Sequence, residues 1–449
     1  MNIFVFCLGL AIGFFWFNTL YAGISIALFL LFLFRIIFKS NDILVFREWC
    51  LLLYTLNYLV SPLMVYDLPQ ESVVYGMKIP AGDYFELALP GFFCFWIGMY
   101  LIPNKLFKLK YTLINKVASV NKEYLKRLLI VSFLLNFFSN YLPGELSYFV
   151  YLFSLVRFVC AFSLYSIDTR LWYWPTFVLV FDLFSSMLRG MYHDIIMWII
   201  FFAIFYVYFS KPALGLKIAG FASLIFLVLF IQVLKGRYRG EVWYGSESAS
   251  LSTITNISSE IATENVILSD DNYYSSLNRG NQAWIFASTI DNMNRNRNFQ
   301  SLDVVGKYFE AALLPRFLAP NKIKSGDKSI FNEFSGHQIN EDTSMGLGIF
   351  ADGYIAFGSF GVYLFGFGLG LLFSVVFKIV EKWSQISPFF GLLLLPILNY
   401  AVRPDCELQT TLNQIIKGLF LFGFFVHFTK LRFTLEPIFE SRLIKSLGK

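Results

Sequence analysis

"FASLIFLVLFIQVLKGRYRG", residues 221–240, joins a run of almost pure hydrocarbon to a cluster of cations. With the residues before it, the apolar part is long enough for a membrane-spanning helix. Lys235, Arg237 and Arg239 follow directly. Basic residues at the end of a span usually mark the cytoplasmic side of the membrane. The side on which this cluster lies therefore decides the topology of the chain.

The rest of the chain has the same apolar character. Of its 449 residues, 57% are hydrophobic and 15% are charged, whereas soluble domains carry about 25% charge. We predict an all-α polytopic membrane protein with about 12 transmembrane helices. Their expected positions are residues 3–18, 20–38, 49–66, 84–102, 127–142, 147–167, 171–188, 191–209, 217–235, 346–377, 386–402 and 409–430. The tenth span is too long for one straight crossing, and its Gly-rich start predicts a short re-entrant or interfacial piece.

These spans divide the chain into three parts. Residues 1–235 are predicted to form an N-terminal transmembrane bundle of about nine spans. Residues 236–344 form one large extracytoplasmic loop, and residues 345–449 form a C-terminal bundle of about three spans. The N-terminus lacks basic residues and a cleavage site, which favours a retained span over a signal peptide. The cysteines are scattered without CxxC spacing, so we expect no metal site and no disulfide framework. We also expect no cofactor.

The orientation follows from the lysines and arginines of the short loops. Residues 105–127 are rich in Lys and carry one acidic residue, Glu123. This segment is predicted to be cytoplasmic. Counting spans from it places both termini in the cytoplasm and the large loop outside. The cations at the end of residues 221–240 then lie outside, against the usual rule, although they could also be anchors that snorkel to the membrane surface.

The same outer side collects arginines from several separate segments. The guanidinium fork suits a diphosphate because it donates two parallel hydrogen bonds and keeps its charge. For Arg403, an ion pair with Asp405 or Glu407 is an alternative to substrate binding. The predicted substrate-binding residues are Arg189, Lys235, Arg237, Arg239, Arg279, Arg316 and Arg403.

Three residues are candidates for a catalytic base: Asp352, His193 and His337. Asp352 lies in an apolar, Gly-rich stretch where a carboxylate is costly, so function or a helix-terminus role is expected. His337 could also be an ordinary loop histidine. Deeper in consecutive spans, Arg157 and Asp182 are predicted to form an ion pair that faces the bundle interior.

A ring of cations beside the bilayer suits an amphiphile with an anionic head, such as a polyprenyl diphosphate-linked sugar. A transferase that uses this donor must stabilise the charge of the departing diphosphate, which cations do without a metal ion. It also needs a base for the attacking sugar hydroxyl. These features do not by themselves separate an enzyme from a lipid carrier.

Four motifs carry a resemblance to a known family. They are "SSMLRGM" (185–191), "LKGRYRG" (234–240), the loop's "NRGNQAWIFASTIDNM" (278–293) with "GKYFEAALLPRFLAPNK" (306–322), and "TSMGLGIFADGYIAFGSFG" (343–361). Over residues 180–365 the chain resembles the O-antigen polymerase, or Wzy-like, family of bacterial oligosaccharide repeat unit polymerases. Many relatives have Glu where this chain has Asp352.

The resemblance implies a GT-C-like polymerase or ligase architecture in the bacterial inner membrane. It implies transfer of an undecaprenyl diphosphate-linked glycan to another lipid-linked repeat unit at the periplasmic face. Arg189 and Arg279 would contact the diphosphate or glycan, and Arg237 and Arg239 would line the access route. Expected partners are the lipid-linked oligosaccharide, the bilayer, a flippase and a chain-length regulator, but no nucleic acid. The alternatives are an O-antigen ligase, which has a different acceptor, and a flippase or other transporter.

Overall fold

The structure of the chain is a computed structural model. It describes residues 1–68, 75–108, 112–142, 144–188, 193–242, 245, 250–263, 269, 272–274, 277, 280–296, 301–314, 318–319, 321–339 and 344–433. In these ranges the secondary structure is helical, with connecting turns and no strand. The predicted all-α class is therefore confirmed.

The helices are numbered here in chain order. They are α1 (Asn2–Phe17), α2 (Leu20–Lys39), α3 (Phe46–Thr55), α4 (Ser61–Asp67), α5 (Ala81–Leu101), α6 (Thr112–Val120), α7 (Lys122–Phe138), α8 (Gly144–Ser154), α9 (Val156–Ile167), α10 (Tyr173–Leu188), α11 (His193–Ser210), α12 (Leu214–Val242), α13 (Leu251–Thr263), α14 (Ala283–Asn296), α15 (Ser301–Leu313), α16 (Lys328–Ser335), α17 (Ile349–Ile386), α18 (Pro388–Gly391), α19 (Leu394–Leu398) and α20 (Leu408–Phe433). A π-helical turn, Leu56–Val60, joins α3 to α4.

Among the described residues, seven helical segments are long and apolar enough to cross a membrane. They are Leu20–Lys39, Phe46–Asp67, Ala81–Leu101, Leu146–Ile167, Leu214–Val242, Ile349–Ile386 and Leu408–Phe433. The helices at two further predicted spans, α7 and α10, have 17 and 16 residues. Shorter apolar helices also lie at Asn2–Phe17, Ile196–Ser210 and Pro388–Leu398. A membrane protein is thus supported, while the number twelve and the side of the large loop stay predictions.

The centre of the bundle is the packing of α5 against α17. These helices approach so closely that a side chain at Gly98 would collide with the backbone oxygen of Phe367, and one at Gly370 with that of Phe95. Small residues at such crossings allow backbones to meet, which strengthens dispersion contacts where the hydrophobic effect between helices is absent. These close contacts fix the position of α17 against α5.

Helix α17 is broken near its beginning, as the Gly-rich sequence predicted. Phe357 has φ −143° and ψ 21°, and Gly358 has φ 60° and ψ −144°. A glycine is required at the second position because its backbone conformation is almost closed to residues with a Cβ. The short first piece, which contains Gly353, folds back so that a Cβ there would overlap the backbone of Gly361. This turn places Asp352 on a buried helical hairpin.

The predicted pair between α9 and α10 is confirmed. Arg157 and Asp182 are 3% and 8% exposed, and the Arg157 Nη2 atom lies 3.0 and 2.8 Å from the two carboxylate oxygens. The Nη1 atom donates to the carbonyl and hydroxyl oxygens of Ser154 at 2.8 and 2.9 Å. Because both charges are hydrogen-bonded, the pair is tolerated inside the bundle.

Part of the predicted soluble loop is a component of the bundle core. Residues 283–290 of α14 are all buried, and Phe286 packs against Tyr84, Phe350 and Tyr354. Helix α15 packs against α17 and α20, whereas α13 packs against α12. We call the end of the bundle where α13–α16 lie the loop end. The large loop is therefore partly inserted between the spans rather than lying entirely above them.

Candidate functional site at the loop end

Asp352 is completely buried, and both of its carboxylate oxygens are bound. The hydroxyl of Tyr308 on α15 donates to Oδ1 at 2.7 Å, and the backbone N–H of Leu408 donates to Oδ2 at 2.7 Å. Leu408 is the first residue of α20. The carboxylate thus satisfies one of the unpaired N–H groups at a helix N-terminus, where the helix dipole favours negative charge. Asp352 joins three elements that are distant in the sequence.

Glu407 is a second buried acid at the same junction. It is 7% exposed, and its Oε1 atom accepts hydrogen bonds from the backbone N–H of Gly326 at 2.7 Å and from the hydroxyl of Thr410 at 3.1 Å. The hydroxyl of Ser325 also bonds to that of Thr410. These contacts attach the segment before α16 to the N-terminus of α20, and they bring Glu407 beneath the large loop.

The surroundings of the two acids set their protonation chemistry. Burial, followed by the negative charge of Asp352, raises the pKa of Glu407 to about 7. Burial and the Asp352 charge also raise the pKa of Tyr308 well above its ordinary value, so its hydroxyl stays a proton donor. Glu407 is therefore a carboxylate that can exchange a proton near neutral pH.

Arg403 lies on the same segment as Glu407 and pairs with Asp405. Its Nη2 atom is 2.7 Å from Oδ2 and its Nε atom is 3.2 Å from Oδ1, which makes the contact bidentate. The guanidinium also lies 5.0 Å from the centre of the Tyr400 ring. Of the two alternatives for pairing, Asp405 is the partner in the structure. The cation is held beside the acids and keeps a fixed orientation.

The backbone of this segment is fixed from the opposite side by the π-helical turn. The hydroxyl of Tyr58 donates to the carbonyl oxygen of Pro404 at 2.9 Å. The amide of Gln282, just before α14, reaches the carbonyl oxygen of Gly346 at 3.4 Å. Isolated π-turns within α-helices are frequent at functional sites. The loop-end acidic cluster, defined as Tyr308, Asp352 and Glu407 with Arg403 and Asp405 beside them, thus has rigid support.

His337 belongs to a different group of contacts. Its Nε2 atom is 3.0 Å from the Ser288 hydroxyl, and its ring meets the edge of Trp284 with centroids 5.1 Å apart. Burial, together with the charge of Lys78, lowers the pKa of His337. The imidazole is therefore neutral at physiological pH, and its contacts are with α14 rather than with the acidic cluster.

The cations of residues 234–240 belong to α12 itself, which continues to Val242, past the predicted domain boundary at residue 235. At 1.5 Å per residue its 29 residues extend about 43 Å, beyond a hydrocarbon core of about 30 Å. The helix is therefore longer than one straight crossing requires, and its basic residues lie in its last turns. Tyr238 is buried against α13, and Arg237 lies 3.6 Å from Glu260 of α13. This region packs on α10, α11 and α13, separately from the elements that form the acidic cluster.

Several predicted residues cannot be placed. Arg189, Arg279 and Arg316 lie outside the described residues, and the side chain of His193, the first residue of α11, is likewise not described. Among the residues that are described, no group of three His, Cys, Asp or Glu side chains is arranged to hold a metal ion.

Tyr308 and Glu407 were missed as site residues by sequence reasoning. Tyr308 is one of many aromatic residues in the large loop, and no local pattern distinguishes it. Glu407 occurs in "RPDCELQT" (403–410), where its proximity to Arg403 suggested an ordinary surface ion pair. The signal that could have identified it is its position directly before the polar start of an apolar span, where a carboxylate is set against a helix N-terminus.

Comparison with known families gives one finding. Residues 84–391, more than half of the chain, match the model of a family described as a domain of unknown function (DUF8712), and the chain therefore belongs to this family. The match includes Asp352, Tyr308 and the α12 cations, and it ends before Arg403 and Glu407. No curated protein and no solved structure matches the chain.

Proposed function

We propose that this member of the DUF8712 family polymerises polyprenyl diphosphate-linked oligosaccharide repeat units at the extracytoplasmic face of the bacterial inner membrane. The observation that carries the proposal is the loop-end acidic cluster, where a titratable carboxylate, Glu407, lies close in the chain to the bidentate cation Arg403. Both precede a membrane-spanning helix. A glycosyl transfer from a lipid donor requires such acid–base and cationic groups at the membrane surface.

The lipid-linked substrate would keep its prenyl chain in the bilayer. The cations at the end of α12 follow a stretch long enough to cross the hydrocarbon core. At the membrane surface they would attract a diphosphate. Arg189, Arg279 and Arg316 are proposed to grip the diphosphate or glycan through their guanidinium forks. The transfer would release a polyprenyl diphosphate and extend the glycan by one repeat unit. A flippase would supply the substrate, and a chain-length regulator would limit the product.

An O-antigen ligase would use the same donor and the same groups, but it would transfer the glycan to a different lipid acceptor. This alternative differs from polymerisation in the product alone. The assay for polymerisation therefore needs both acceptors.

A transporter of lipid-linked oligosaccharide is the second candidate, and one observation favours it. Asn399 is completely buried, and neither its Oδ1 nor its Nδ2 atom has a hydrogen-bond partner among the described residues. The buried Oδ1 atom of Asn413 on α20 also has none in the same ranges. Unpaired polar groups between membrane helices are costly and often belong to a transport path. The polar atoms of Asn399 and Asn413 would line a path for the substrate through the bundle, which polymerisation does not require.

Purified protein in liposomes, supplied with one lipid-linked repeat unit, separates these possibilities. A ladder of glycans that increase by one repeat unit supports polymerisation. Transfer only to an added lipid acceptor identifies a ligase. Movement of the intact substrate between leaflets without any new glycosidic bond identifies a transporter and contradicts the proposal. Arg403→Ala is expected to abolish the ladder, with Arg295→Ala, an exposed arginine of α14, as the matched control.

A further inference from the structure

We propose that Glu407, rather than Asp352, His193 or His337, is the general base that accepts the proton of the attacking sugar hydroxyl. This inference rests on the proposed function, and it identifies a catalytic residue for it. The carboxylate oxygens of the loop-end acidic cluster differ in the hydrogen bonds that they already accept.

Asp352 is occupied by structural contacts. Its two oxygens accept from the Tyr308 hydroxyl and from the Leu408 N–H, both at 2.7 Å, and the residue is completely buried. A sugar hydroxyl could reach this completely buried carboxylate only by displacing the buried phenol or the helix N-terminus, which would leave a donor unsatisfied. Asp352 is therefore a positioning residue whose charge acts on its neighbour.

The two carboxylate oxygens of Glu407 have different roles: Oε1 accepts structural hydrogen bonds, and Oε2 is the atom proposed to receive the proton. Oε1 accepts from the Gly326 N–H and the Thr410 hydroxyl, and these bonds fix the carboxyl group. The hydrogen bonds that described residues donate to the Glu407 carboxylate go to Oε1. Oε2 faces Gly346, where an added Cβ would lie 3.5 Å from that oxygen. Oε2 thus lies beside a residue without a side chain, and it is the carboxylate oxygen that remains for a sugar hydroxyl.

The charges around Glu407 favour a base that works near neutral pH. Asp352 on α17 and Asp327 before α16 both disfavour its ionisation, and Tyr308 on α15 faces the same junction as a neutral phenol. Arg403, on the same segment, is neutralised by its bidentate contact with Asp405. A carboxylate with this environment binds a proton more strongly than an exposed one, which improves proton transfer from a hydroxyl.

The proposed step conserves atoms and charge. The acceptor hydroxyl oxygen attacks the anomeric carbon of the donor, and a new carbon–oxygen bond forms. The bond between the anomeric carbon and the diphosphate oxygen breaks, and its electron pair leaves with the polyprenyl diphosphate. The hydroxyl proton passes to Oε2 of Glu407, which later returns it to solvent.

The test is the pH dependence of ladder formation by the full-length protein in liposomes at saturating substrate. The wild-type rate is expected to rise with pH through about 7 and then level off, because the ionised carboxylate is the active form. Glu407→Gln keeps an acceptor for the Gly326 N–H and should lower the plateau rate by about 100-fold or more. Glu407→Asp should retain part of the activity, and Glu310→Gln, an exposed carboxylate of α15, should retain all of it.

Asp352→Asn provides a readout that a purely structural role of Glu407 would not change. Removing the Asp352 charge lowers the pKa of Glu407, so the rising limb should move to lower pH. A ladder from wild type and an equally fast ladder from Glu407→Gln would overturn the base assignment and leave the proposed function intact. A wild-type pH profile that is flat between 5.5 and 8.5 would do the same. Complete absence of glycan transfer by folded wild type would overturn the proposed function together with the base.

Discussion

Two charged regions at the loop end differ in how their charges are held. At the end of α12, Arg237 lies 3.6 Å from Glu260, and the two side chains are 30% and 54% exposed. At the junction of α15, α17 and α20, Asp352 and Glu407 are almost completely buried and accept bonds as short as 2.7 Å. Exposed charges are screened and weakly constrained, whereas buried ones act at a fixed position in a low dielectric. The first region is suited to attraction, and the second is suited to chemistry.

The largest effect on stability is expected for the buried ion pair of Arg157 on α9 with Asp182 on α10. This pair shows how strongly a buried charge in this protein depends on its partner. Asp182→Asn leaves Arg157 without a compensating charge and should lower the free energy of unfolding by about 3–5 kcal/mol. Thermal unfolding in detergent measures the change. The double variant Arg157→Leu/Asp182→Leu should recover much of the loss. An equally unstable double variant would mean that the two residues do not interact.

The next effect is a pH dependence of stability that belongs to Glu407. Its pKa in the folded state is raised to about 7, above the ordinary value in the unfolded chain, so the protonated form is favoured by folding. The stabilisation is fully present below the unfolded pKa and is lost as pH rises through about 7. Relative to Glu407→Gln, the wild type should lose about 2–3 kcal/mol between pH 5 and pH 8.

The measurement is the difference in thermal stability between wild type and Glu407→Gln at several pH values. Glu310→Gln serves as the control because it removes a carboxylate from an exposed position. A difference that stays constant with pH would show that Glu407 does not titrate in this range. It would also weaken the contrast between buried and exposed charges.

A smaller effect is expected from the phenol that binds Asp352. Tyr308→Phe leaves a buried carboxylate oxygen unsatisfied and should cost about 1–3 kcal/mol. Tyr354→Phe removes a hydroxyl that donates at 2.7 Å to a neutral amide, that of Asn294, and should cost about 0.5–1.5 kcal/mol. Unfolding of the two variants under the same conditions gives the comparison. An equal or larger loss for Tyr354→Phe would contradict the special role of the acidic cluster.

The smallest effect on stability is expected at the end of α12. Arg237→Ala should change the free energy of unfolding by less than about 1 kcal/mol, because the pair with Glu260 is partly exposed. If Arg237 only attracts the diphosphate, Arg237→Lys should keep the rate of substrate capture. Added salt should reduce the difference in capture rate between either cation and Ala at this position.

Arg403→Lys should instead lose nearly as much activity as Arg403→Ala, since Lys lacks the guanidinium fork that makes two parallel hydrogen bonds.

The sequence was sufficient where local pattern and membrane physics determine structure. It predicted the helical class, a short piece before the long part of α17 and the pair of Arg157 with Asp182, because apolar length, glycine content and adjacent spans specify them. It could not predict that Tyr308 binds Asp352 or that Gly326 binds Glu407. Those partners are 44 and 81 residues apart, and no local sequence pattern specifies contacts between residues so distant in the chain. The sequence identified the cations of α12 from their positions after the apolar run. It did not predict that the helix continues to Val242.

The central claim is that the loop end faces the extracytoplasmic side, where a lipid-linked glycan would be polymerised. Single cysteines at Ser259 on α13 and at Lys116 on α6, both exposed, test it directly in a background without the native cysteines. With an impermeant maleimide in intact cells whose outer envelope is permeable, the account predicts labelling of Ser259→Cys alone. Lys116→Cys should react only after the inner membrane is lysed. The reverse pattern would place the acidic cluster in the cytoplasm and contradict the account.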